Sequence, residues 1–198
     1  MSEQPENLSR RRFLTLATGA AGGVAALGVG VPFFMSWLPS ERAKANGAPT
    51  LVDVSKLEAG QQMTTTWRGK PIWVVSRTKE QLANLKKVEA NLVDPNSESP
   101  EQPENCKNAT RSIKPEFLVA VGICTHLGCS PNYRPDVAPA DLGPDWLGGF
   151  FCPCHGSKFD LAGRVFKGSP APTNLVVPPH KYLSDSILLI GEDGKGAA

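Results

Sequence analysis

The feature that most limits what this chain can fold into is a run of 26 positions without a charged residue, from 13 to 38. A helix rises about 1.5 Å per residue, so such a run is ~39 Å long and can cross a hydrocarbon core of about 30 Å. A segment of this kind is typical of a membrane-spanning helix. We therefore predict a transmembrane anchor at residues 13–38.

Three arginines stand immediately before this run. Residues 9–14 (SRRRFL) resemble the bacterial twin-arginine export signal. Because positive charge stays on the cytoplasmic side of a membrane, residues 1–12 are predicted to form a cytoplasmic tail. The chain would cross the bacterial inner membrane once, with the remainder on the periplasmic side. The alternative is a cleaved signal, since residues 43–45 (AKA) fit an Ala-x-Ala cleavage site.

Beyond the anchor, the pattern changes to that of a β-rich head. Residues 39–49 are small and polar, which predicts a flexible linker, and residues 50–198 would form the head. The 19 glycines and 18 prolines favour a turn-rich β domain over a helical bundle. The short apolar runs predict strands of an antiparallel β-sandwich or small barrel, at 51–54, 63–67, 72–76, 117–123, 175–177 and 187–190. Residues 79–92 have helical spacing, and residues 94–111 read as a surface loop.

The charge of the chain bears on its partners. It contains 21 Lys and Arg against 19 Asp and Glu, a formal net charge of +2. A protein that binds nucleic acid by charge needs a much stronger basic field than this. We therefore expect no nucleic-acid partner.

Four of the five cysteines and two of the three histidines fall in two short boxes, residues 124–129 (CTHLGC) and 152–157 (CPCHGS). Thiolate and imidazole together suit zinc, copper or iron–sulfur chemistry. The Cys-x-His spacing of the first box is tighter than structural zinc sites use. Two cysteines and two histidines are the donor set of a Rieske-type 2Fe–2S cluster. A zinc-binding structural module without redox activity remains the alternative from another class.

Together with residues 168–172 (GSPAP), the two boxes resemble the Rieske iron–sulfur subunit of ubiquinol–cytochrome c reductase. The resemblance implies an all-β fold: an antiparallel β-sandwich head with a two-loop cluster-binding subdomain at about residues 120–172. It also implies one 2Fe–2S cluster. The residues it assigns are Cys124 and Cys152 on one iron, His126 and His155 on the other, and Cys129 and Cys154 in a disulfide.

The same resemblance implies roles for the surrounding residues. Leu127 and Pro170 would shield the cluster, and Ser157 would donate a hydrogen bond to a cluster sulfur. Phe159 stands where high-potential members often carry a tyrosine, so we expect a positive reduction potential below theirs.

His155 is implied as the residue that accepts a hydrogen bond and a proton from ubiquinol. The implied partners are cytochrome b, a c-type cytochrome, ubiquinol and membrane lipid. The alternative within the cluster-bearing class is the Rieske small subunit of another exported oxidoreductase, such as arsenite oxidase. Outside the boxes, Cys106 is expected to be a free surface thiol, and His180 a packed or surface histidine.

Overall fold

The structure is a computed structural model that describes residues 7–193, without the side chain of residue 46. Residues 1–6 of the predicted cytoplasmic tail and residues 194–198 of the predicted head lie outside the described residues. Two compact units make up the chain, one ending at Ala45 and one beginning at Asn46.

The first unit contains a single long helix, α1 (Leu8–Met35), of 28 residues. It is long and apolar enough to cross a membrane. The helix begins five residues before the start of the predicted span and ends three residues before the end of that span. The three arginines therefore lie inside the helix. Its first turn is capped by Asn7, whose side-chain oxygen accepts from the Arg10 N–H at 3.3 Å.

The predicted linker is mostly helical. Helix α2 (Glu41–Gly47) occupies seven of its eleven positions, and the Ser40 hydroxyl accepts from the Ala43 N–H at 3.2 Å at its start. The boundary between the two compact units falls within this helix.

The second unit contains nine strands in the part of the chain that the structure describes. They form three antiparallel sheets of three strands, in the orders β1-β9-β8, β2-β3-β4 and β5-β6-β7. The strands are β1 (Thr50–Asp53), β2 (Gln62–Trp67), β3 (Lys70–Ser76), β4 (Phe117–Val121), β5 (Asn132–Arg134), β6 (Gly149–Phe151), β7 (Lys158–Asp160), β8 (His180–Tyr182) and β9 (Ile187–Ile190). The predicted fold class, an antiparallel β head after one apolar helix, is confirmed.

The sheet β2-β3-β4 is the middle layer, and this explains why β3 is a continuous apolar run. Successive side chains of a strand point to opposite faces. Ile72 and Val74 pack towards β1 and β9, in one core cluster. Trp73 and Val75 pack in the other, with Phe150 of β6. Because both of its faces are covered, β3 has no polar alternation.

A helical insertion follows β3. Helix α3 (Lys79–Lys87) begins at a capping box, in which Thr78 and Gln81 each bond the other's backbone N–H through their side chains. The predicted helix was longer, to residue 92. The chain instead forms a 3-10 turn at Glu89–Asn91, because the Val93 N–H donates to the Val165 carbonyl at 3.0 Å and draws the chain into an extended conformation.

Two other predictions for the head are wrong. Residues 175–177 form no strand, although the Val176 carbonyl accepts from the Val121 N–H at 2.7 Å. The three-residue strands β5 to β8 were not predicted. Cys106 is not a surface thiol: it is fully buried, and burial raises its pKa to about 11, so it is an unreactive thiol at neutral pH.

Buried arginines fasten the insertion to the segment that follows β7. Arg77, Arg111 and Arg164 are all at most 3% exposed. Burial lowers the pKa of Arg77 and of Arg111 to about 10, so both keep their charge at neutral pH. Arg77 and Arg111 bond to backbone carbonyls of residues 160–164, and Arg164 bonds within this segment. The bonds there run from Arg77 to the Leu161 carbonyl (3.1 Å), from Arg111 to the Ala162 and Gly163 carbonyls (3.2 Å each), and from Arg164 to the Asp160 carboxylate (2.8 Å).

We predict that Asp160→Asn lowers the free energy of unfolding by about 3 kcal/mol, because it leaves the buried Arg164 charge without its closest carboxylate. The matched control is Asp185→Asn, which breaks an exposed pair with Lys114 and should change stability by less than about 1 kcal/mol. Urea titrations of the detergent-solubilised chain, followed by tryptophan fluorescence, measure both. Equal effects of the two substitutions would contradict the structural role of Asp160.

Candidate metal centre

The first box forms a tight loop between β4 and β5. The Cys124 N–H donates to the Cys129 carbonyl at 2.7 Å, and the Gly128 N–H donates back to the Cys124 carbonyl at 3.0 Å. Gly128 has a φ of 85°, in the left-handed region, where a residue with a Cβ is strained. The glycine therefore allows the loop to close within six residues.

The second box, between β6 and β7, repeats this loop. The Cys152 N–H donates to the Ser157 carbonyl at 2.8 Å, and the Gly156 N–H to the Cys152 carbonyl at 2.9 Å. Gly156 has a φ of 80°. Both loops are thus built on the pattern Cys-x-x-x-Gly, which the sequence shows in both boxes and which sequence reasoning missed.

This equivalence explains why His155 is exposed. Position by position, Leu127 corresponds to His155 and His126 to Cys154. Leu127 is 72% exposed and His155 is also exposed, whereas His126 is half-buried. Because the histidine is one position later in the second loop, His155 lies at the outer corner that Leu127 occupies in the first.

A disulfide joins Cys129 of the first loop to Cys154 of the second. The Sγ atom of Cys152 lies within 4.8 Å of both sulfurs of this bridge. Only Cys152 of these three offers a thiolate to a metal, since the other two sulfurs are bonded to each other. The bridge therefore holds the two loops together beside the metal-ligand candidates.

The two remaining box cysteines meet beneath the tips. Cys124 and Cys152 are free thiols, each 2% exposed, and both pack in the same core cluster. Burial raises the pKa of Cys152, and the Cys124 thiol raises it further. Metal binding at these thiols displaces their protons.

The two box histidines also meet. The ring centroids of His126 and His155 are 4.8 Å apart, with the ring planes at 88°. The Nδ1 atom of His126 is buried and has no hydrogen-bond partner within the described residues. A buried nitrogen left unpaired is costly, and a bound metal ion satisfies it.

This donor set fits a Rieske 2Fe–2S cluster. Two buried thiols in contact, two imidazoles in contact and an unpaired, buried ring nitrogen are what a cluster held by two cysteines and two histidines requires. The soft sulfur ligands argue against calcium or magnesium.

The proline-rich segment, residues 168–173, is bonded to both loops. The Thr125 hydroxyl donates to the Thr173 carbonyl at 2.8 Å in the first loop. The Ala171 N–H donates to the Ser157 hydroxyl oxygen at 3.1 Å in the second. Sequence reasoning missed Thr125 and Thr173, since nothing in their spacing marks them.

The remaining predicted site residues lie at different depths. Ser157 and Phe159 are fully buried, and Phe159 packs in the same core cluster as Cys124 and Cys152. Pro170 is exposed on the proline-rich segment. His180, in β8, is a packed histidine whose Nδ1 lies 2.9 Å from the Pro178 carbonyl oxygen, and burial lowers its pKa.

Comparison with protein families places this architecture. Residues 49–179 match the model of the Rieske [2Fe-2S] domain. Residues 1–40 match the model described as "Ubiquitinol-cytochrome C reductase Fe-S subunit TAT signal". A β head with two bridged Cys/His loops, together with the first match, defines the class as a Rieske iron–sulfur domain.

Several relatives extend over the full length. The ubiquinol-cytochrome c reductase iron-sulfur subunit of Allochromatium vinosum is 61% identical over 100% of this chain and 95% of that protein. The subunit of the same name from Bradyrhizobium diazoefficiens is 41% identical over 92% and 94%. A chain of a solved hyperthermophilic respiratory Complex III is 30% identical, covers 88% of this chain and 98% of that chain, and has a TM-score of 0.49. The chain belongs to the family of ubiquinol–cytochrome c reductase iron–sulfur subunits.

This membership resolves the alternatives left open by the sequence. It favours a 2Fe–2S cluster over a structural zinc ion. It also favours ubiquinol–cytochrome c reductase over another exported oxidoreductase, because the full-length relatives above carry that name.

Proposed function

We propose that this chain carries electrons from ubiquinol to a c-type cytochrome within ubiquinol–cytochrome c reductase. The observation that carries the proposal is the geometry of the tip: an exposed His155 in ring contact with His126, above two buried thiols. A group that must meet a membrane-soluble quinol and then another protein has to be presented at a surface, and this one is.

Four residues would hold the cluster. Cys124 and Cys152, buried and in contact, would bind one iron, and His126 and His155 would bind the other. When bound, the 2Fe–2S cluster supplies the one-electron acceptor and donor. The Cys129–Cys154 bridge and the proline-rich segment keep the loops in place and shield the thiols from water.

His155 would act directly on the quinol. An imidazole that binds a metal through one ring nitrogen has a second nitrogen at which it can accept a hydrogen bond and a proton. Because His155 is exposed and His126 is half-buried, His155 is the histidine that can reach a quinol hydroxyl. The exposed Leu127 side chain, at the equivalent position of the first loop, would offer an apolar contact for the quinone ring or for a partner surface.

We predict that His155→Cys abolishes ubiquinol oxidation although the cluster is retained. A cysteine thiolate can replace the imidazole as a ligand, but it offers no second nitrogen to take the quinol proton. Turnover with cytochrome c in membranes is measured against cluster content from electron paramagnetic resonance (EPR).

His180→Asn is the control for the histidine replacement, because it changes a buried histidine in β8 and should leave turnover per cluster unchanged. Wild-type turnover in His155→Cys with a full cluster would contradict the role of His155.

The reduction potential would be set partly by Ser157 and Phe159. The Ser157 hydroxyl accepts from the Ala171 N–H, which leaves its own proton free to donate to a cluster sulfur. Such a bond stabilises the more negative, reduced form and raises the potential. Phe159 packs in the same core cluster but offers no hydroxyl.

We predict that Phe159→Tyr raises the midpoint potential by about 40 mV, the equivalent of one added hydrogen bond of about 1 kcal/mol in a one-electron couple. Phe150→Tyr is the matched control, since Phe150 pairs with Phe159 across β6 and β7 but its ring stacks on Trp73. Voltammetry compares the two. A rise in both variants, or in neither, would contradict the assigned position.

The anchor and the export signal support a position for the chain in its complex. We infer that α1 is retained as an anchor in the bacterial inner membrane, with the three arginines on the cytoplasmic side and the head on the periplasmic side. The segment at residues 39–49, which contains the boundary between the two compact units, would let the head move between cytochrome b and the c-type cytochrome. Membrane lipid would surround the anchor.

A further inference from the structure

Ser169 makes a contact that neither the metal ligands nor the disulfide explain. The Lys158 N–H donates to the Ser169 hydroxyl oxygen at 3.1 Å, and the same hydroxyl donates to the Lys158 carbonyl at 3.4 Å. Lys158 is the first residue of β7. One side chain therefore bonds both backbone groups of this residue, whose carbonyl also accepts from the Phe166 N–H at 3.0 Å. It attaches the proline-rich segment to the start of the strand.

The residue before Lys158 is Ser157, which is held by the same segment. The Ala171 N–H, two positions after Ser169, donates to the Ser157 hydroxyl oxygen at 3.1 Å. Both Ser157 and Ala171 are buried. Two residues of the proline-rich segment thus hydrogen-bond to Ser157, the last residue of the second metal-binding loop, and to Lys158, the first residue of β7.

These two contacts constrain a hydroxyl proton. A serine hydroxyl has one proton to donate, and it rotates to suit its partners. Since the oxygen of Ser157 accepts from Ala171, its own proton has to point elsewhere. The Ala171 N–H therefore excludes one direction for the Ser157 proton, and Ser169 attaches the same segment to β7 two residues earlier.

We propose that Ser169 is a positioning residue for the redox centre: it holds the Ala171 N–H on Ser157, and so keeps the Ser157 proton directed at the cluster. This inference rests on the proposed function, in which Ser157 donates to a cluster sulfur. Without the Ser169 hydroxyl, the Lys158 N–H loses its acceptor and the segment loses its side-chain attachment to β7, although the Ser169 N–H keeps its bond to the Phe166 carbonyl at 3.2 Å. The Ser157 hydroxyl then rotates, and the reduced cluster loses a hydrogen bond.

The test is a double-mutant cycle on the midpoint potential, measured by EPR-monitored redox titration of membranes that contain the full complex. Ser157→Ala and Ser169→Ala should each lower the potential, the second by no more than the first. The double variant Ser157→Ala with Ser169→Ala should match Ser157→Ala alone, because Ser169 acts through Ser157. Ser169→Thr keeps a hydroxyl and should stay near the wild-type potential.

Ser130→Ala is the matched control, since Ser130 is an exposed serine next to Cys129; it should not move the potential. The proposal is overturned by an unchanged potential in Ser169→Ala, by additive shifts in the double variant, or by a Ser169→Thr shift as large as that of Ser169→Ala. Loss of the cluster in Ser169→Ala alone also overturns it, since Ser169 would then be needed to form the loop. A wild-type chain without a Rieske resonance would instead overturn the proposed function.

Discussion

The Cys129–Cys154 bridge joins the two loops that carry all four metal-ligand candidates, and the rest of the site depends on this connection. Each loop is closed by its own pair of backbone hydrogen bonds and a glycine in the left-handed region. Each therefore presents a cysteine inward and another side chain outward. The bridge aligns the two loops so that the inward thiols meet, and so that the imidazoles meet above them. An oxidising compartment stabilises such a bridge, which agrees with the match of residues 1–40 to an export-signal model.

The scaffold beneath the loops is rigid because its middle sheet is covered on both faces. Trp73 of β3 stacks on Phe150 of β6, with ring centroids 5.1 Å apart, which packs the metal-binding sheet directly on the central one. On the far side of β7, the Asp160–Arg164 pair and two further buried arginines tie this sheet to the insertion. A redox site gains from this rigidity, since a preorganised environment changes little when charge arrives. We therefore expect the head to move as a unit, with the change in backbone conformation near residues 39–49.

Much of the fold and of the metal centre could be predicted from the sequence, because strong local patterns indicate them. The apolar run at residues 72–76 indicated a strand, and the two Cys/His boxes indicated the metal centre. The short strands β5 to β8 could not be predicted, since three residues carry too little periodicity and their pairing depends on distant partners. Arg111 and Arg164 are charged residues, which from the sequence alone are expected on the surface. Their burial is explained by the backbone carbonyls that converge on them and, for Arg164, by the Asp160 carboxylate. The contacts of Ser169 were beyond prediction for the same reason, because they join the ends of a loop whose path the sequence does not specify.

The most direct test of the account is whether both His126 and His155 bind iron. Pulsed EPR of the reduced chain in membranes, prepared with and without ¹⁵N-labelled histidine, resolves the nitrogens coupled to the cluster. The account predicts couplings from two histidine nitrogens in a centre with two irons and two acid-labile sulfides, unchanged by His180→Asn. Couplings from one histidine or from none, or a metal centre without labile sulfide, would contradict it.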